Sequence, residues 1–241
     1  MRYWIHLWVI HIPVCILVLY SFFILPLWSI PLLILYGAFI TGVFIEGGLH
    51  KYFTHQTGKV NHKFWHIFFA LGGTLMGAGP IPIWITSHRT HHKFSDSPRD
   101  THSPKQHGIR NTFFAHWFVW KIKNVKNKDF LYGIIYRNDK FIKFLTDNYL
   151  KINISFMLLC YFIHPILLIL YAWGCFMGLL GSGITNTIGH IYGEHKDFPA
   201  LNKIMFWTST AYHGAHHKQP SKIHYDEWWD PVGWFMKKVL H

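Results

Sequence analysis

Four long apolar stretches, separated by two short turns and one wide polar interval, set the plan of this chain. Trp4 to Leu25 runs for 22 residues without Lys, Arg, Asp or Glu, and a helix of about 20 residues crosses a bilayer. No small-residue cleavage site follows a short apolar core, so this segment is expected to stay as a span and not to be removed as a signal peptide. Pro26 to Pro31 reads as a turn, and a second span is expected from Pro31 to roughly Gly48, running straight into His50. A second hairpin is expected at about Ile152 to Tyr171, with a turn at Ala172-Trp173-Gly174 and a last span from Cys175 to about Tyr192.

Four spans, at 4–25, 31–48, 152–171 and 175–192, put both termini on one side of the membrane. All 23 Lys and Arg residues then fall on that side and none in either short opposite loop. Positive-inside bias makes that side cytoplasmic. Residues 64–85 form another long apolar stretch, but they hold Gly72, Gly73, Gly77 and Gly79, then Pro80 and Pro82, which weaken a regular helix. An interfacial or re-entrant element is expected there. The alternative, a fifth span, would put the chain before and after it in opposite compartments. The remaining polar parts, 50–150 and 193–241, are expected to form a cytoplasmic helical cap, with Trp228, Trp229 and Trp234 at headgroup level. The fold class is thus all-α integral membrane, as one domain over residues 1–241.

Composition sharpens this picture. The chain is 51% hydrophobic and 19% aromatic, which suits membrane insertion. A net charge of +12 raises the question of nucleic acid, but the basic residues flank apolar segments and form no nucleic-acid motif. The surplus positive charge suits anionic headgroups, the phosphates of an acyl carrier or an acidic protein partner. Cys15, Cys160 and Cys175 sit in apolar runs without ligand spacing and read as small buried hydrophobes.

The chemistry lies in the histidines. Nine of the 20 fall in three clusters and one solitary position: His50 and His55; His88, His91 and His92; His213, His216 and His217; and His190, four residues after Asn186. Neutral imidazole is the commonest metal ligand near neutral pH. Nine suffice for two ions, since four ligands complete a tetrahedral site. On a helix, residues three and four apart share a face, so each HxxHH triplet converges. Adjacent members diverge by about 100°, which lets one short helix reach two metals. His50 and His55 differ by about 140° on an ideal α-helix, so they bracket a site or need a local break. Asn186 and His190 share a face of the fourth span, at a depth where polar residues are costly and usually functional. The other single histidines, His6, His11, His62, His66, His164, His195 and His241, read as ordinary capped or hydrogen-bonded side chains.

An all-nitrogen two-metal centre at the edge of a membrane suits oxidation of the membrane's own solute, a long acyl chain. Cleaving an unactivated methylene C–H bond calls for metal-activated oxygen. Zinc hydrolysis would need a carboxylate base near an open site, and no HExxH segment is present. A metal transporter would carry ionisable residues along its spans, where the first and third offer only His6, His11 and His164.

From Gly48-Leu-His-Lys-Tyr-Phe-Thr-His55 through Ser87-His-Arg-Thr-His-His-Lys-Phe-Ser-Asp96, Asp100-Thr-His-Ser-Pro104 and Asn186-Thr-Ile-Gly-His190 to Tyr212-His-Gly-Ala-His-His217, the chain resembles the membrane fatty-acyl desaturases. More specifically, it resembles their delta-9 acyl-CoA and acyl-lipid branch. The resemblance implies four spans under a cytoplasmic cap that holds two irons. It implies that His50, His55, His88, His91, His92, His190, His213, His216 and His217 are ligands, with Asn186 approaching one metal through a water. It further implies an O2-dependent reaction that takes two electrons and leaves a cis double bond. The acyl substrate would ride on coenzyme A, a carrier protein or a lipid, and the electrons would come from a ferredoxin or cytochrome b5. Since the chain ends soon after the third box, that donor is expected to be a separate protein. A related hydroxylase or acetylenase shares the boxes, and a bacterial inner membrane is the expected location.

The chain departs from the branch in reading His-Lys in the first box, Gln56-Thr-Gly58 after it, Asp100-Thr-His in place of Asp-Pro-His, and Ser209-Thr-Ala-Tyr212 before the third box. Asp96, Asp100, Glu194, Asp226 and Asp230 are candidates to accept an imidazole N–H. His102, His107, His116 and His224 are expected to line the cap without ligating.

Overall fold

The computed structural model describes residues 3–114, 135–191, 195–198, 212–224 and 230–241. Among them the structure is helical, with one isolated antiparallel bridge between Val60 and Leu240. The first apolar stretch forms α1 (Tyr3–His6), a π-helical turn π1 (Leu7–His11) and α2 (Ile12–Ile24). Leu25 is extended, and the Ser29 hydroxyl donates to the Pro26 carbonyl at 2.7 Å. The chain thus reverses where the prolines predict a turn. It continues as α3 (Ser29–Thr41), which passes without a break into π2 (Gly42–His55).

The second helical rod therefore overruns the expected end at Gly48 and carries both His50 and His55. The switch to π geometry is what makes this useful. Bonding between residues five apart turns a five-residue spacing toward one face, and the Thr54 hydroxyl donates five residues back to the Leu49 carbonyl at 2.6 Å. Gln56, in the left-handed region at φ 51°, ends the helix.

Residues 64–85 are not one element. They divide into α4 (Lys63–Leu75), a turn, and the start of α5 (Ile81–Phe94). Gly77 and Gly79 take φ of 69° and 99° in that turn, conformations a side chain would resist. Pro80 and Pro82 stand at the start of α5, where proline is tolerated. The His11 ring donates to the Gly77 carbonyl at 2.9 Å, and the Tyr149 hydroxyl accepts the Gly79 N–H at 3.0 Å. Residues 64–85 thus form two helices joined by a turn and not one continuous helix.

Short helices follow, α6 (Pro104–His107), α7 (Ile109–Phe113) and α8 (Lys140–Asp147). The second hairpin is α9 (Tyr149–Ile163) and α10 (Pro165–His190), and the chain closes with α11 (His213–Lys218) and α12 (Pro231–Val239). The expected turn at Ala172-Trp173-Gly174 lies instead inside α10, so the boundaries 152–171 and 175–192 are corrected. The break falls at His164, whose extended backbone precedes Pro165 and whose ring accepts the Ile166 N–H at 3.2 Å. Gly174 serves helix packing: a Cβ there would stand 3.3 Å from Ile40. The Trp173 indole N–H, far from a turn, donates to the Ser21 hydroxyl at 3.1 Å.

Among the described residues, three helices are long and apolar enough to cross a membrane, Leu7–Ile24, Ser29–His55 and Pro165–His190, and Tyr149–Ile163 is a shorter apolar helix of 15 residues. They pack through Ile10, Val14, Leu33, Ala38, Ala172 and Met177, with α10 against α2, α3 and α9. Their outer faces leave Phe23 at 86% and Phe162 at 78% exposed. So much bare apolar surface is a lipid-facing surface and not a soluble one. A second core, with Leu49, Phe53, Phe69, Trp84, Ile85, Leu145 and Met236, lies where π2, α4, α5 and α12 meet.

Candidate metal centre

π2 and α10 deliver their last turns to the same place, and α5 and α11 close over it. The nine clustered histidines assemble there as two groups: His50, His55, His88, His92 and His216, and His91, His190, His213 and His217. Each HxxHH helix divides its histidines between the groups by helical geometry. On α5 the i,i+4 pair His88 and His92 faces the first group and His91 the second. On α11 the i,i+4 pair His213 and His217 faces the second and His216 the first. The His92 and His217 rings stack at 4.2 Å between them.

In the first group the Nε2 atoms approach in succession: His55 to His88 at 3.1 Å, His88 to His92 at 3.0 Å, His92 to His216 at 3.0 Å and His216 to His50 at 3.0 Å. In the second, His213 Nε2 lies 2.6 Å from His190 Nε2 and 3.1 Å from His217 Nε2. One ring nitrogen carries either a proton or a lone pair, so an Nε2 with two such neighbours cannot hydrogen-bond well to both. Two nitrogens each about 2.1 Å from one cation, at right angles, stand about 3.0 Å apart. His91 Nε2 is buried and has no hydrogen-bond partner among the described residues, while its Nδ1 faces Asp100 Oδ1 at 2.8 Å. A carboxylate only accepts, so the proton is on Nδ1 and the Nε2 lone pair points into the group. The residues fit a pair of metal ions.

Electrostatics agree. Burial first, and the neighbouring imidazoles second, hold His88, His213 and His216 far below the ordinary histidine value of 6.5. His92 and His217 are lowered by the same causes. Neutral rings with free lone pairs are the ligating form. Asp100 is pushed up by burial, but His91 and backbone N–H groups outweigh this and keep its carboxyl below the ordinary range.

Among the candidate acceptors, Asp100 reaches His91, and Asp96 Oδ2 lies 3.2 Å from His190 Nδ1. Asp230 stands apart and caps α12 by accepting the Gly233 N–H. Glu194, Asp226, His116, Trp228 and Trp229 lie outside the described residues. His102 is buried beside His91 and Asp100, His107 donates to the Asp100 carbonyl at 2.7 Å, and the His224 ring packs on Trp234. Asn186 is buried one turn before His190 and donates to the Ser182 carbonyl at 3.0 Å.

Two residues escape the sequence reading. His195 is not remote: its ring stacks on His217 at 3.9 Å, and its Nε2 lies 2.7 Å from the Ser95 hydroxyl. No spacing points to it, because it lies outside any box. Glu46 accepts from His50 Nδ1 at 2.8 Å. Its signal was available, as the one carboxylate in the 31–48 segment, four residues before a clustered histidine.

No protein-family model matches the chain. It is 26% identical over 216 residues to the sn-1 stearoyl-lipid 9-desaturase of Synechocystis sp., covering 83% of this chain and 64% of that protein. It is 28% identical over 193 residues to the hex-5-enoyl-[acyl-carrier protein] acetylenase of Moorena producens, covering 70% and 59%. To the stearoyl-CoA desaturase of Bos taurus it is 29% identical over 200 residues, covering 73% and 53%. The chain spans between about half and two thirds of the length of these relatives. These matches make the chain similar, over most of its own length, to membrane fatty-acyl desaturases of both the acyl-lipid and the acyl-CoA kind.

Proposed function

We propose that the protein is an O2-dependent di-iron fatty-acyl desaturase that places a cis double bond in a long acyl chain. The observation that carries this reading is the convergence of nine imidazoles, six buried and three partly buried, into two adjacent groups that hold no thiolate or carboxylate among the described residues. Such a set suits iron, and the relatives act on stearoyl-lipid and stearoyl-CoA. In the proposed reaction, two adjacent methylenes, O2, two electrons and two protons give –CH=CH– and two waters. Iron, when bound, supplies the oxygen activation that C–H cleavage requires.

The chain's own residues do the rest. His50, His55, His88, His92 and His216 would hold one ion, and His91, His190, His213 and His217 the other, with Asn186 reaching one of them through a water. Asp100 holds the Nδ1 proton of His91 and Asp96 that of His190, which orients both rings. Four spans are proposed, with α9 as the third and α10 as the fourth, and with the termini and the centre cytoplasmic, in a bacterial inner membrane. The two electrons would come from a ferredoxin or cytochrome b5, and the acyl chain would be borne by coenzyme A, a carrier protein or a lipid. The likeness to an acetylenase supports a second reading, in which the same centre acts on an acyl chain that is already unsaturated.

Expression in a host with reducing partners, with His91→Ala as control, tests this by gas chromatography and mass spectrometry of fatty acids. New double bonds absent from the variant are expected. An unchanged profile from iron-loaded protein would overturn the desaturase reading, and a triple bond would favour the second.

A further inference from the structure

π2 carries one carboxylate, Glu46, and its side chain is only 7% exposed in a helix long and apolar enough to cross a membrane. A charged group at such depth is costly and is kept where it has work and a partner. Among the described residues, the Glu46 carboxylate has two polar partners. Oε2 lies 2.8 Å from His50 Nδ1, and Oε1 lies 3.5 Å from Lys51 Nζ, which is itself 3% exposed. Lys51 Nζ also donates to the Lys222 carbonyl at 3.5 Å. An α-helix would turn Lys51 about 140° from Glu46. The π register brings residues i+4 and i+5 over the same carboxylate.

The four-histidine group is backed differently. Among the described residues no Lys or Arg pairs with the carboxylates behind His91 and His190: Asp100 accepts the backbone N–H groups of Asp96 and His102, and Asp96 accepts the Ser103 hydroxyl, with the His195 ring nitrogen 3.9 Å from its other oxygen. A carboxylate behind a ligating imidazole raises its basicity and fixes its tautomer. An ammonium on that carboxylate cancels much of the electronic part and leaves the orientation.

We infer that Glu46 is the positioning residue of the five-histidine group, and that its ion pair with Lys51 makes that group the less electron-rich of the two. This rests on the two-metal reading above. Glu46 orients His50 with Nε2 toward the ion, while Lys51 offsets the charge of Glu46 beneath it.

Cobalt(II) titration of the full chain, stripped of metal in detergent, tests the inference through visible d–d absorption and bound stoichiometry. Wild type is expected to bind two ions. Glu46→Gln is expected to weaken one binding step by about 10- to 100-fold and leave the other unchanged, which also reports that the fold is intact. Wild-type isotherms and spectrum in Glu46→Gln would overturn the inference. Should that variant fail to accumulate, Lys51→Met decides. Retention of both ions with a shifted band for one supports the charge assignment, and an unshifted spectrum overturns it. A wild-type chain that takes up fewer than two ions would overturn the two-metal reading itself, a result distinct from either.

Discussion

A ring that ligates through Nε2 has one proton left, and the group that takes it decides where the lone pair points. Three of the nine rings show that group: Glu46 for His50, Asp100 for His91 and Asp96 for His190. The other constraint at this scale is space. Gly189 lies one residue before His190, and a Cβ there would stand 2.3 Å from Cδ2 of the His213 ring, a severe overlap. Gly189→Ala must therefore displace His213 and is expected to lower bound metal from two ions per chain toward one, measured by metal analysis of purified protein. Both constraints were partly legible. Asp96 and Asp100 were visible from their place near the second box, whereas Gly189 looks like any helix glycine until His213 is seen to fill its missing side chain.

At the scale of elements, two departures from regular α-helix make the centre possible. The π register of π2 reconciles a five-residue spacing with one metal site. Spacing alone left open whether His50 and His55 bracket a site from an α-helix or need a local break. The turn between α4 and α5 is the second, and it depends on Gly77, whose left-handed backbone would cost an added side chain about 1–2 kcal/mol. A Cβ at Gly77 would also stand 3.1 Å from Ile10, whereas one at Gly108, with φ of 77°, would meet nothing within 4 Å. Gly77→Ala is therefore expected to lower the thermal midpoint in detergent more than Gly108→Ala. Equal shifts would show that packing against π1 does not matter. The misplaced turn at 172–174 has the same lesson. Glycine marks turns and tight helix contacts alike, and only the neighbouring α3 distinguishes them.

For the whole molecule, the consequence of burying so many imidazoles is a pH dependence with a definite sign. His88, His92, His213, His216 and His217 are all held below the ordinary value of 6.5 by burial and by one another. Below that pH the unfolded chain binds more protons than the folded one, so stability rises with pH there and is level above it. Metal-free protein is expected to lose thermal stability as pH falls from about 6.5 toward 5, with uptake of up to about five protons on unfolding from these residues. A midpoint flat between pH 5 and 8 would contradict it.

The sequence by itself determined the membrane class, the first turn, the nine histidines and their division into boxes. These follow from hydropathy, proline and short-range spacing, all of which act within a few residues along the chain. Only the tertiary structure decided which histidine joins which group, that His195 and Glu46 stand beside them, and that residues 64–85 form two helices joined by a turn. Those outcomes depend on contacts between segments up to 166 residues apart, such as His50 with His216. The packing of four helix ends, not any local preference, places such residues within reach of one another.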